Sequence, residues 1–160
     1  MEIWKDFFVA MTGASAALTG LIFVGISISL QRILEIKTLP GRAGLALGLL
    51  MIVLIVSTLC LVPQVSINII GVEILCCGIA AWGISLRVDL RILGDTKPEY
   101  KRLYFQNLFF TQLATLPYIV CGIWIIGAGA SGVYWLIPAF LFSFMKAVLD
   151  AWVLLIEIHR

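Results

Sequence analysis

Lys146 and Asp150 stand four positions apart in the run LIPAFLFSFMKAVLDAWVLLIEI, which places an ammonium and a carboxylate on one face of the helix that this apolar segment predicts. Charges are unfavourable inside a bilayer, and paired intramembrane charges recur along routes taken by ions or protons. The same spacing also serves a structural end, because each group neutralises the other. The order Lys before Asp is the weaker one with respect to the helix dipole. Both readings stand on the sequence. Glu73 is a further ionisable group in an apolar stretch, INIIGVEILCCGIAAW, with no basic residue near it in sequence. A bare carboxylate in lipid is unfavourable, so Glu73 is expected to meet water, a distant residue or another subunit. Gln112, together with Asn107, Thr111 and Thr115, makes one half of another apolar stretch weakly polar. Glu73, Gln112, Lys146 and Asp150 are therefore the candidates for a pathway or a buried polar site.

A second pattern is steric. Thr12, Ala16, Thr19, Gly20, Phe23 and Ser27 recur at spacings of three and four, with Ser15 on their flank. Narrow side chains let another helix approach closely, and hydroxyls bond across an interface or back to their own carbonyls. A water-lined face is the competing reading. Gly44 and Gly48 form a small-xxx-small pair just after Gly41 in PGRAGLALG, and a crowded seam within one subunit is expected there. Pro117 and Pro138 lie inside apolar stretches and are expected to kink them, since proline removes an amide donor and clashes one turn upstream.

Other chemistry has no sequence support. There is no P-loop, dinucleotide fingerprint, HExxH or GxSxG motif, so neither an enzyme nor a bound cofactor is expected. Cys60, Cys76, Cys77 and Cys121 all fall in apolar stretches, and His159 is the single histidine, which makes a metal site improbable. Basic residues are scattered through connectors and form no stripe, so nucleic acid is not an expected partner.

The elements that must carry these residues follow from composition. Of 160 residues, 62% are hydrophobic and 12% charged, with a mean hydropathy of +1.10, which is the composition of an integral membrane protein. Five stretches, 7–30, 43–62, 67–86, 103–127 and 133–156, reach the roughly 20 residues that a helix needs to cross a bilayer. The prediction is an all-α polytopic bundle forming one transmembrane domain over residues 1–160. The amino end lacks the basic region of a secretory signal, and its apolar run is expected to persist as a helix. Arg32, Lys37, Arg42, Arg87, Arg91, Lys97, Lys101, Arg102 and Arg160 fall on one face of this arrangement, leaving only Lys5 and Lys146 elsewhere. By the positive-inside tendency that face is cytoplasmic, with the N-terminus outside and the C-terminus inside. Trp4, Trp124 and Trp135 near one set of ends, and Trp82, Trp152, Tyr100 and Tyr104 near the other, match two interfacial belts.

The opening WKDFFVAMTGASAALTGLIFVGISISLQRILE, followed by LPGRAG, resembles the start of small bacterial membrane proteins, some of which carry the label of modulator of a membrane protease. The resemblance covers residues 4–44, and it implies a bacterial inner-membrane setting without carrying over any site residue. Two functions are consistent with all of these features. One is an ion channel or transport pathway, shared among copies of a homo-oligomer because so short a chain encloses little volume. The other is a non-catalytic structural or regulatory module that binds partner membrane proteins, a membrane protease among them.

Overall fold

Inside lipid every backbone amide must be bonded within the protein, and the chain meets this demand with helices alone. The computed structural model describes residues 2–36, 38–64, 66–95 and 101–158. Lys37, Lys97, Tyr100, His159 and Arg160, and the side chains of Lys101, Arg102 and Tyr104, lie outside the described residues. A short 3-10 turn leads into α1 (Lys5–Ile28), which is followed by α2 (Leu30–Glu35), α3 (Leu39–Leu61), α4 (Ile67–Asp95) and α5 (Lys101–Ala128). A 3-10 segment, Gly129–Trp135, then joins α5 to α6 (Leu136–Ile158).

The helix boundaries have local causes. Pro40 sits in the first turn of α3, where its missing amide costs no helical bond, and Pro63 forces the preceding Val62 into an extended conformation that ends the same helix. At the other turn Gly129 has φ +73°, the left-handed geometry that closes α5. Pro117 lies within α5, which runs on through it. Pro138 is the third residue of α6, in the turn whose amides have no partner in the helix in any case. It therefore opens a helix, where a kink one turn in from the end of the fifth span was expected.

Helix α3 is central, with α1, α4 and α6 packed along it, and α5 closes the ring between α4 and α6. Neighbouring long helices run antiparallel. Thr12 on α1 meets Ser57 on α3, Gly71 on α4 meets Ile125 on α5 while Trp82 meets Gln112, and Tyr118 on α5 meets Ser143 on α6. One end of the bundle gathers Trp4 against Tyr134 and Trp124 against Trp135. The other end carries Arg32, Arg42, Arg87 and Arg91. The main core, with Phe8, Val56, Ile74, Tyr118, Cys121, Ile125 and Phe140, lies toward the Trp end, and a smaller cluster of Ile33, Leu39, Ala43 and Leu154 lies at the Arg end. Four stretches are long and apolar enough to cross a membrane: Lys5–Ile28, Leu39–Leu61, Ile67–Gly94 and the 52-residue Phe105–Ile156, which contains most of α5 and α6. The chain is a multi-span, all-α integral membrane bundle.

The closest helix contact lies where the sequence did not point. Along α4, Gly71, Leu75, Gly78, Trp82, Ser85, Asp89 and Ile92 alternate spacings of four and three, the repeat of a helix seam. Opposite them, a Cβ added to Gly122 would come within 2.6 Å of Leu75 Cβ and 2.8 Å of its backbone, and one on Gly78 would lie 3.1 Å from the Ile119 nitrogen. Gly44 and Gly48, by contrast, line an open surface, with nothing among the described residues within 4 Å of a Cβ added to either, so the described residues do not form the expected crowded seam there. On α1 the packed face is Phe8, Thr12, Ser15 and Thr19, whereas Ala16, Gly20 and Ser27 point outward. Only 11% of the most apolar part of α1 is buried. Small residues permit close approach but do not select which face is approached, because lipid accepts both faces of such a helix.

Candidate functional site

On α6 the buried polar residues Ser143, Lys146 and Asp150 follow spacings of three and four, so they form one inward stripe among apolar neighbours. The Lys146 ammonium pairs with the Asp150 carboxylate, and the two residues are 3% and 2% exposed. Two further charges reach them from other helices. Asp89 on α4, 5% exposed, lies within electrostatic reach of Lys146, Asp150 and Arg42, and Arg42 on α3 reaches Asp150 as well. The Thr111 hydroxyl of α5 lies against the Asp89 carboxylate. Four helices thus contribute to a cluster of two acids and two bases whose formal charges cancel.

The balance is incomplete in one respect. Asp89 Oδ2 is buried and has no hydrogen-bond partner among the described residues. A buried carboxylate oxygen in that state is unfavourable by kilocalories, so something must complete it. Away from the Arg end the polar residues continue. Thr115 donates to the Thr111 carbonyl at 2.9 Å, and the Tyr118 hydroxyl lies 3.0 Å from Ser143 Oγ, which itself donates to the Ala114 carbonyl at 3.3 Å. Beyond Tyr118 the core is apolar, with Cys121, Ile125, Leu136 and Phe140 all buried. One turn past the charges in the opposite direction, Ile92, Leu39 and Leu154 are buried too. Apolar side chains thus flank the charged cluster on both sides along the bundle, while Arg42 itself is partly exposed.

The four candidate polar residues therefore separate. Lys146 and Asp150 belong to this cluster. Gln112 sits at its edge, next to Thr111, where its Oε1 accepts from the Trp82 indole at 2.6 Å; since indole only donates, the amide is oriented, leaving Nε2 buried without a partner among the described residues. Glu73 is elsewhere. It accepts from Gln64 Nε2 at 2.5 Å near the Trp end, and it precedes Asp89 by sixteen residues of α4, about 24 Å along the helix. Of the small residues, Thr12 donates across to Ser57 Oγ of α3 at 2.9 Å, whereas Thr19 donates within α1 to the Ser15 carbonyl at 2.7 Å. Ser27 bonds back to the Phe23 carbonyl at 2.8 Å on an exposed surface.

Sequence reading missed Asp89, Tyr118 and Ser143. Asp89 falls in a charged connector if the span is ended at Leu86, but the four-three repeat carries on through Ser85, Asp89 and Ile92, and that was the available signal. Tyr118 lies mid-span, far from the headgroup level that phenols prefer, which itself calls for a buried partner. Among the described residues no group of three or more His, Cys, Asp or Glu side chains gathers to hold a metal ion. No family model, curated protein or solved structure matches the chain.

Proposed function

We propose that this chain is a proton-linked transport module in which α1, α3, α4, α5 and α6 each cross the membrane. The observation that carries the reading is the unpartnered, buried Asp89 oxygen beside the Lys146–Asp150 pair. A proton completes that oxygen without a coordination shell, whereas a metal cation there would compete with the ammonium of Lys146 and the guanidinium of Arg42. The groups facing Asp89 are Arg42 from α3, Thr111 from α5, and Lys146 and Asp150 from α6. Buried apolar residues on both sides of the cluster fit a site that opens alternately to either face better than a continuous pore. The test is collapse of a pH gradient in proteoliposomes carrying an internal pH dye. Gradient loss faster than in empty liposomes is expected for the native chain and should disappear in Asp89→Asn with the fold retained. Native protein that leaks no faster than empty liposomes sinks the proposal.

A second reading rests on a different observation. Ala16, Gly20 and Ser27 on the outer face of α1 are exposed, and among the described residues nothing from another helix lies within 4 Å of a Cβ added to Gly20. Such a face suits another helix, either from a second copy or from a partner such as the membrane protease suggested by the resemblance of residues 4–44 to bacterial inner-membrane proteins. Cross-linking from position 20 in native membranes tests it.

A further inference from the structure

Between α3 and α4 runs an apolar groove of about 460 Å³, with Gly44 and Gly48 as its floor and Ile52, Ile55, Ala80 and Ile84 among its walls. This volume lies within the usual range of ligand sites. Its geometry is set by glycine use. A Cβ on Gly41 would press Ile92 at 3.1 Å and Val88 at 3.3 Å, so the helices are close at the Arg end, while nothing stands above Gly44 or Gly48. From Gly41 to Ile55 the groove spans fourteen residue steps, about 21 Å of helix, which exceeds half of the roughly 30 Å hydrocarbon core and so matches a chain from one leaflet.

The Arg end of this groove has a matching charge. Ala80 and Ile84 line it, and Arg87 and Arg91 continue the same side of α4 at steps of seven and eleven from Ala80. Among the described side chains neither arginine forms an ion pair, and Arg91 is exposed. We infer that the groove holds one acyl chain of an anionic phospholipid, whose phosphate is received by Arg87 and Arg91. Guanidinium groups suit phosphate through paired N–H donors, and juxtamembrane basic residues favour anionic lipids over zwitterionic ones. The occupant is a lipid in preference to a second helix because the groove joins an acyl-width slot to a cationic end. A docking helix would leave those cations without a phosphate.

Native mass spectrometry of the full chain, titrated in detergent with phosphatidylglycerol or phosphatidylcholine of equal chain length, tests the inference. At least a fivefold preference for retaining one phosphatidylglycerol is expected. Arg87→Gln/Arg91→Gln should remove that preference while leaving weak retention of both lipids. Gly44→Leu/Gly48→Leu, which fills the slot without a clash at the added Cβ, should reduce retention of both. Equal retention of the two lipids by the native chain overturns the inference. So does unchanged preference in the arginine variant, which stands as the test even if the glycine variant does not fold. Loss of a dimer peak in the glycine variant, with lipid retention intact, would assign the groove to a second copy instead.

Discussion

Lys146→Met leaves the Asp150 carboxyl buried without its ammonium partner and removes a positive charge within electrostatic reach of Asp89, and Asp150→Asn leaves that ammonium without the carboxylate it pairs with. Removing one member of a buried ion pair destabilises by about 3–5 kcal/mol, whereas replacing both with neutral groups of similar volume is often tolerated. Each single variant is therefore expected to lose monodispersity on size-exclusion chromatography after mild heating, and Lys146→Met/Asp150→Asn to regain most of the loss. Additive damage in the double variant would show that the two side chains do not act as one unit. The pairing itself was legible, because a four-residue step fixes two side chains on one helix face whatever surrounds them. What the step does not give is the company the pair keeps. Asp89 and Arg42 come from helices far from α6 in sequence, and only the tertiary arrangement makes one site of four charges. Glu73 shows the converse, since its apolar setting resembles that of Asp150 while its partner is the neutral Gln64.

The α4–α5 seam gives the sharpest contrast between helices. At Gly122 an added Cβ collides with Leu75, including its backbone, so the neighbour cannot yield by rotating a side chain. Among the described residues nothing lies within 4 Å of a Cβ added to Gly20. Gly122→Ala is expected to lower stability by about 1–3 kcal/mol through overpacking. Gly20→Ala is expected to leave the isolated chain unchanged or slightly steadier, because alanine is the better helix former. Thermal melts of the two variants in one detergent check this; equal melting points would mean that α4 and α5 are not held at the separation described. Helix existence was readable from apolar length, but helix faces were not. In water a helix declares its buried side by contrast with a polar one. In lipid both sides are apolar, so Ala16 and Gly20 look the same in sequence as Gly78 and Gly122, although one pair faces outward and the other is locked against a neighbour.

For the molecule as a whole, the packing constrains how the chain is threaded. Each of the five long helices runs opposite to the long helix before it, so Trp4 and Tyr134 meet at one end while α1, α4 and α6 all finish at the end that holds Arg32, Arg42, Arg87 and Arg91. The aromatic pairs at one end and the arginines at the other fit the chain's antiparallel order, but the second belt does not form as expected from the sequence: Trp82 lies midway along α4, bonded to Gln112, and Tyr100 and the Tyr104 side chain lie outside the described residues. If the Arg-rich end faces the cytoplasm, the C-terminal end of α4 does too, and Gly94 there is a suitable reporter because nothing among the described residues lies within 4 Å of an added Cβ. In a cysteine-free background, Gly94→Cys is expected to resist a membrane-impermeant maleimide in intact cells and to react once the membrane is opened. The N-terminal segment supplies the opposite control, and Ile3→Cys, at a residue 96% exposed, should label before permeabilisation. Labelling of position 94 from outside would invert the whole assignment. It would also place Arg87 and Arg91 in the outer leaflet, so the phospholipid inferred for the α3–α4 groove would then have to be drawn from that side.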